Sequence, residues 1–523
     1  MFSVDRPFIE NKYHKVGEPF NPYQRMAYHG YDFDPATGES DEEILRGLSA
    51  LAGELHDLPH PIAKARAVEY VLSHTRIDIG EHDLFVGFYS VNRLAKKVTQ
   101  DIWYREIFDG VIPEVKAEMK RLSDAGAVDI WPDFDHVVPD WSALMTYGFP
   151  GLLARSEEIR AKHLAAGTLT PEREAFFEGI RIEYRAVIAL LDRFYRYAKT
   201  RTHEKAARMA TCLAHLRNGA PTAFYEAAQL IYIYFMISEC FDSYQVRSLG
   251  NGLDGTLTPF YLHDLETGHA TREDILEILR YFLMQWSAIG NYWGQPFYLG
   301  GADGAGESLY NELSYDILGV YGELGIYNPK IQLKIQKNTP DRLLFTVFDL
   351  IRRGHSSFVF CCEPGMMRAV MSYGATAEEA RTMDIRGCYE TGVRGNEVST
   401  VSGYVNALKA VEYVFTDGRD RRTGAQIGLP TALSSLAGFD DFYNAVLAQW
   451  DHLIGRTIAC SLRFEKYLSY INPSNLYSGT ILHALERGED AYQSGVKFSN
   501  SSVLNCGFAS LVDAVAAVRE FVY

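Results

Sequence analysis

Between residues 330 and 387 the sequence changes its hydrophobic period three times, and this alternation limits the available folds more than any other feature. KIQLKIQ (330–336) alternates Ile331, Leu333 and Ile335 as a strand with one buried face does. Thr339-Pro340 then offers a helix start, and the helical pattern runs to Arg353 and stops at Gly354. SFVFCC (357–362) reads as the next strand and TAEEARTM as the next helix, after which the chain reaches DIRGCYETG. Strand, helix, strand, helix is the grammar of an α/β sheet or barrel, and Cys388 sits on the loop that follows it. Loops carried by such a scaffold are where chemistry concentrates.

Upstream, helices dominate. Thr170-Pro171 predicts an N-cap and first helical residue, and Phe176, Ile180, Tyr184, Val187, Leu191 and Phe194 recur at helical spacing. LIYIYFMI (230–237) is apolar on all sides, which predicts complete burial in a segment too short to cross a membrane. The first residues, MFSVDRPFIENKYHK, lack a basic stretch followed by an apolar run, and no eighteen apolar residues follow one another. The expectation is a soluble, cytoplasmic protein with no membrane partner.

A length of 523 residues excludes a small disulfide scaffold. Seven cysteines, an odd number without regular spacing, point to free thiols in a reducing compartment. A formal charge of −16 argues against nucleic acid as a partner, because such binding needs clustered Lys and Arg.

Cys388 has several open readings. A nucleophile needs a histidine base that sequence cannot place, and no cysteine-protease signature surrounds it. A zinc ligand needs a companion at short spacing. There is no C-x-x-C, and prolines spoil the His56 and His60 pair, so no metal is expected. An inert buried thiol is the general alternative. The neighbours point elsewhere: Gly387 permits a tight loop, and the carboxylate of Glu390 disfavours a thiolate. That pairing suits a thiol that keeps its hydrogen and loses it as an atom.

G-C-Y-E resembles the G-C-V/I-E loop of the glycyl radical enzymes. FDHVVPDWSALMTYGFPGLL (134–153) resembles that family's G-H-x-x-P-D-Y segment, GLDGTLTPFYLHDLETG (252–268) its R-x-D-Q-Y-x-Y-P-Y-Y segment, and SGTILHALERGEDAYQSGVKF (478–498) the stretch near the barrel's end. The likeness runs from about Asp83 to the last residue. It implies an α/β fold, a ten-stranded α/β barrel surrounded by helices with the thiyl-loop cysteine inside. The expected organisation is a single large domain over 1–523, mostly helical over about 1–245, with barrel core and thiyl loop over about 246–523. The resemblance also implies that a thiyl radical on Cys388 abstracts hydrogen from substrate while Glu390 acts as base. His136 falls on the family's histidine that reaches a substrate hydroxyl. Arg247, Arg386 and Arg394 are candidates for binding an anionic substrate group, with ordinary ion pairs as the alternative.

Two departures refine this expectation. Cys-Tyr-Glu replaces the adjacent cysteines of the pyruvate formate-lyase branch, so the chain resembles the eliminase and decarboxylase branch; Cys361-Cys362, in a strand pattern, is expected to pack in the core. The family's radical signature resembles R-V-x-G-Y/F, and VSGY (401–404) imitates it. However, Thr400 replaces the arginine, and Tyr404, Leu408, Val411 and Phe415 follow at helical spacing, so Gly403 is expected to mark a helix start.

The expectation is therefore the large subunit of a split enzyme, with no glycyl radical domain and no cofactor bound by this chain. The glycyl radical would sit on a small partner subunit bearing R-V-x-G-Y/F and be generated by an S-adenosylmethionine-dependent activating enzyme, in a homo-oligomeric assembly of the kind relatives form. The reaction expected is a radical dehydratase or lyase cleavage of a C–O bond in a small polyol or sugar derivative, phosphorylated or a cyclic ether included. A radical decarboxylase or C–S lyase, and an inactive scaffold or fragment, are the alternatives. Two glycine-rich motifs are set aside: GNGLDG (250–255) is expected to be a turn because Pro259 breaks a following helix, and GGADGAG (300–306) lacks a phosphate loop's Lys-Ser/Thr.

Overall fold

A computed structural model describes residues 1–10, 12, 34–88, 93–132, 138–241, 248–250, 252–288, 296–387 and 390–523. These fall into two compact units, one of Met1–Gln100, His136–Val398 and Pro473–Phe498, the other of Asp101–Asp135, Ser399–Asn472 and Ser499–Tyr523.

The first unit opens with long helices. Helix α1 (His60–His74) packs along α3 (Pro171–Ala198), and α2 (Trp141–Ala165), kinked at Gly148, lies beside α3. Thr170 caps α3 by accepting from the Arg173 N–H at 3.3 Å, and the predicted Phe176-to-Phe194 stripe is buried. Helix α4 (Phe224–Phe241) contains the apolar stretch 230–237, buried throughout. Among the described residues no helix is long and apolar enough to cross a membrane.

Helix α5 (Leu253–Thr267) corrects the reading of GNGLDG, since it runs through Pro259. The proline is exposed, and its missing N–H faces the carbonyl of Gly255, also exposed and without a Cβ, so water can take the freed acceptor. Asp254, in the first turn, is buried and accepts from Ser314 Oγ (2.6 Å) and the Gly300 N–H (3.0 Å).

A β-α-β-α-β run follows, whose last three elements are the predicted strand, helix and strand, and the predicted TAEEARTM helix forms over Ala377–Arg381. Strands β1 (Phe297–Gly300), β2 (Ile331–Ile335) and β3 (Phe358–Cys362) form a parallel sheet in that order, linked by α6 (Glu312–Leu324) and α7 (Asp341–Arg352). The register puts Phe297, Ile331 and Phe358 in one row and Tyr298, Gln332 and Val359 in the next. The first row faces the helices, with the Tyr321 ring of α6 5.7 Å from Phe358. The alternation in KIQLKIQ predicts one polar, wetted face, yet Gln332 and Lys334 are buried. Another element covers that face. Helix α8 (Glu363–Ser372) leads on to the hairpin of β4 (Met383–Arg386) and β5 (Glu390–Val393). The described residues hold ten strands in four separate small sheets.

The second unit takes β6 (Glu397–Asn406) from Ser399 onward, and that strand lies between the short strand Val128–Asp129 and β7 (Phe498–Cys506). Helices α9 (Leu408–Phe415), α10 (Phe439–Phe464) and α11 (Phe508–Phe521) meet in a core that includes Val411, Val414, Phe442, Val446 and Leu511. Gly403 therefore lies inside a strand, and the helix begins at Leu408, five residues later than expected. Its φ is 153°, and a Cβ there would collide with the carbonyl oxygen of Asp129 in the adjacent strand. Close backbone approach, not a helix start, explains this glycine.

Candidate active site

The β4–β5 hairpin is built around its tip. Cα register pairs Met383 with Val393, Asp384 with Gly392, Ile385 with Thr391, and Arg386 with Glu390. Arg386 and Glu390 are thus directly opposite and share a face. Gly387 takes φ 60°, the left-handed conformation that favours glycine in a tight connection. Cys388 lies outside the described residues, between Gly387 and a half-buried Glu390.

The polar face of the parallel sheet supports this hairpin. Gln332 donates Nε2 to the Gly387 carbonyl at 2.7 Å, and Lys334 donates Nζ to the Met383 carbonyl at 2.7 Å. From β1, Tyr298 donates its hydroxyl to Asp384 Oδ1 at 2.9 Å and accepts from Arg394 Nη2 at 2.6 Å. Ile385 packs with Tyr298 and Cys361. Three strands therefore each contribute contacts beneath the segment that carries the cysteine.

Glu397 secures the hairpin's other flank. One carboxylate oxygen accepts from the Val393 N–H (2.7 Å) and the Tyr373 hydroxyl (2.8 Å), while the other lies 3.2 Å from Arg386 Nη2. The Arg386 guanidinium crosses Gly392 so closely that a Cβ there would overlap it. Burial works against the charge on Arg386, but the attractions of Glu397, Tyr477, Asp384 and Tyr373 together exceed it and hold the pKa above its ordinary value.

Comparison with known proteins places this arrangement. The model of the pyruvate formate lyase-like family matches residues 88–523. The chain belongs to the pyruvate formate lyase-like family. It is 21% identical to (2S)-3-sulfopropanediol dehydratase of Klebsiella oxytoca, over 97% of this chain and 70% of that protein. It is 26% identical to isethionate sulfite-lyase of Bilophila wadsworthia, over 74% of this chain but only 50% of that protein, so it spans about half the length of that relative. The glycerol-bound glycerol dehydratase of Clostridium butyricum shares the fold with a TM-score of 0.81 at 18% identity, over 100% of this chain and 71% of that one. These relatives put the chain with the glycyl radical enzymes, in the eliminase and dehydratase branch, and it shares the fold of their solved structures.

Within this pyruvate formate lyase-like chain the sequence-derived site residues divide into two groups. His136, Arg247 and Cys388 lie outside the described residues. Arg386, Glu390 and Arg394 are brought together by the hairpin, but both arginines have protein partners: Arg386 has Glu397, and Arg394 has Asp384, with Nε to Oδ1 at 3.0 Å. The segment containing His136 is described from Val138, and its Asp140 caps α2 through the N–H groups of Ser142 and Ala143. Burial raises the Asp140 carboxyl pKa, with Arg394 opposing that rise.

The cysteine pair is a partial correction. Cys361 is buried as expected, but Cys362 is exposed, because the sheet order puts β3 at the edge and successive side chains take opposite faces. Burial pushes the Cys361 thiol up to about 11, with Lys334 opposing. Gln332, Lys334, Tyr298, Asp384 and Glu397 were missed in the sequence reading. The polar phase of KIQLKIQ signals that Gln332 and Lys334 share a polar face, but not that the Gly387 and Met383 carbonyls rather than water cover it.

Proposed function

We propose that this chain is the thiyl-bearing component of a glycyl radical lyase that cleaves a C–O bond in a small polyol or sugar-derived substrate, phosphorylated or a cyclic ether included. The observation that carries the reading is the fixed hairpin: Gly387 and Glu390 flank Cys388, and Gln332, Lys334 and Glu397 hold both arms in place. In the proposed cycle the Cys388 thiyl takes a hydrogen atom from a carbon bearing a hydroxyl. The resulting ketyl radical has a more acidic O–H, so Glu390 removes that proton as the neighbouring C–O bond breaks heterolytically. The leaving oxygen departs with the electron pair and takes up a proton, and the product radical recovers hydrogen from Cys388. His136 is proposed to reach a substrate hydroxyl, and Arg247 and the partly exposed Arg394 to bind an anionic group. Arg386, buried against Glu397, is assigned to holding the hairpin.

C–S cleavage is the second reading, favoured by the likeness to isethionate sulfite-lyase. The radical glycine is assigned to a small partner subunit bearing R-V-x-G-Y/F, activated by an S-adenosylmethionine-dependent enzyme, because Gly403 is committed to the contact with Asp129. The test is anaerobic turnover of this chain with that polypeptide and its activase on glycerol, (2S)-3-sulfopropanediol and isethionate. Aldehyde formation with water release supports the first reading and sulfite release the second. A glycyl doublet in the electron paramagnetic resonance spectrum with no turnover of any hydroxylated or sulfonated substrate would remove the lyase assignment.

A further inference from the structure

Every residue from Pro473 to Ile481 is buried, although Ser474, Asn475, Ser478 and Thr480 are polar. Connecting segments ordinarily run over the surface, because polar groups taken from water cost free energy unless they find partners. Here the partners come from several elements. Asp490, itself buried, accepts from the Ser474 N–H (2.7 Å), the Ser474 hydroxyl (2.8 Å) and the Tyr492 N–H (2.9 Å). The Ser478 hydroxyl lies 2.8 Å from that of Ser474 and accepts from the Ala491 N–H at 3.0 Å. Lys64 of α1 donates Nζ to the Pro473 carbonyl at 2.7 Å, Tyr184 of α3 donates its hydroxyl to the Leu476 carbonyl at 3.0 Å, and Arg155 of α2 donates Nη2 to the Thr480 carbonyl at 3.0 Å.

Two side chains reach from this anchored segment toward the candidate site. Tyr477 donates its hydroxyl to the backbone carbonyl of Glu397 at 3.3 Å, and Glu397 in turn holds Arg386 and the Val393 N–H of the hairpin. Thr480 accepts from the Asp140 N–H at 3.2 Å while donating to the Tyr477 carbonyl at 2.7 Å. Asp140 caps α2 four residues after His136, and its carboxylate lies against the turn that follows β5, where a Cβ on Gly395 would stand 3.1 Å from Oδ2. The buried segment therefore contacts the flank of the Cys388 hairpin on one side and the chain leading from His136 on the other.

We propose that Pro473–Ile481 sets the spacing between these two halves of the site, with Tyr477 the positioning residue for the hairpin of Cys388 and Glu390 and Thr480 the positioning residue for the segment of His136. The roles of Cys388, Glu390 and His136 rest on the reading under Proposed function. Tyr477 acts through Glu397, and Thr480 acts through Asp140. Transfer between reacting groups falls off steeply when they leave contact distance, so a displaced hairpin lowers kcat, whereas a displaced substrate-binding segment raises KM.

The test is hydrogen–deuterium exchange on the full chain, followed by turnover of the activated complex. In Tyr477→Phe, which loses only a hydroxyl, the amides of 390–397, Val393 among them, should exchange at least about tenfold faster. In Thr480→Val the Asp140 amide should do so, with 390–397 unchanged. Tyr413→Phe, which removes a buried hydroxyl bonded to Asp420 in the other unit, should leave both regions as they are. In the activated complex Tyr477→Phe should lower kcat at least about tenfold with KM within about twofold, and Thr480→Val should mainly raise KM. Thermal melts check that the variants fold. Native-state exchange of the unaltered chain is independent of them: the amides of 474–480 and 390–397 should open in one cooperative step at low denaturant. Separate opening of the two stretches overturns the proposal. So does unchanged exchange at 390–397 in folded Tyr477→Phe, an unchanged Asp140 amide in folded Thr480→Val, or acceleration spread evenly over the chain. An intact kcat in a Tyr477→Phe protein whose hairpin exchanges faster also overturns it. The expected exchange pattern in a chain whose activated complex turns over no hydroxylated or sulfonated substrate sinks the functional reading and leaves the support of the hairpin standing.

Discussion

The side-chain amide of Gln332, in the middle strand of the parallel sheet, donates to the carbonyl oxygen of Gly387 at 2.7 Å, and Gly387 immediately precedes Cys388. A hydrogen bond from a rigid strand to the residue before the reactive one fixes where that residue starts. Gln332→Leu keeps the volume roughly constant but strands a buried carbonyl, so it should cost about 1–3 kcal/mol in urea unfolding. It should also lower kcat more than it raises KM, because the thiol rather than the substrate pocket loses its support. A variant with full kcat would show that the hairpin is positioned without this bond.

Lys334 is 3% exposed beneath the same hairpin, and burial brings its pKa down to about 8, with Glu363 and Asp384 opposing. An unfolded lysine keeps its proton to about pH 10.4. Between these values the unfolded chain binds more protons than the folded one, so Lys334 makes stability rise with pH across that window. Lys334→Met lacks this contribution. The stability of the unmodified chain relative to the variant should therefore grow by up to about 3 kcal/mol from pH 8 to pH 10.5, as followed by denaturant midpoints. A flat or falling difference would place the lysine in a solvated environment.

The β2-α7-β3 run and the place of the cysteine loop after it are legible because periodicity reports burial: Ile331, Leu333 and Val347 alternate or recur as their elements require. Periodicity misled where a polar phase faced protein. Gln332 and Lys334 look like the wetted side of a strand, but their partners, the Gly387 and Met383 carbonyls, lie about fifty residues downstream, and nothing local encodes that meeting. Gly403 failed for a related reason. A helical spacing starting at Tyr404 accommodates it in a helix, whereas the deciding contact is with Asp129, far upstream. Glu397, at the end of the loop sequence, carries no motif and is identified by its contacts with Arg386, Tyr373 and the Val393 amide.

Arg386 and Glu397 are both nearly fully buried. Removing one partner leaves the other charged and desolvated, so Arg386→Met or Glu397→Leu alone should cost about 3–5 kcal/mol. The double variant should recover part of that loss, because it buries no orphan charge. Equilibrium unfolding of the four proteins closes the cycle, and additive losses would mean that the two side chains act independently.

Gly403→Ala should destabilise the second unit, since the added Cβ meets the Asp129 carbonyl and φ of 153° is poorly suited to alanine. It should leave the radical signal of an activated complex unchanged per folded molecule. A glycyl doublet that disappears in a folded Gly403→Ala protein would put the radical at 403 and overturn the assignment to a partner subunit.

Cys388 and Cys361 compete for the role of hydrogen-atom abstractor, and the structure gives each a distinct signature. Cys361 lies on the hairpin-facing side of β3 in a cluster with Tyr298 and Ile385, 2% exposed, with its thiol held protonated by burial. Cys388 follows the glycine fixed by Gln332 and precedes Glu390 by two residues. Cys361→Ala should therefore remove packing, lowering stability by about 1–3 kcal/mol, and leave turnover per folded molecule within about twofold. Cys388→Ala and Cys388→Ser should retain the unfolding midpoint and abolish turnover, while the partner's glycyl radical still forms. Glu390→Gln separates the two steps: hydrogen exchange between substrate and thiol should persist, detectable as deuterium wash-in, while elimination stops because no carboxylate takes the ketyl proton. If folded Cys361→Ala were inactive and Cys388→Ala active, the abstracting sulfur would sit on β3, and the hairpin would be a scaffold rather than the site.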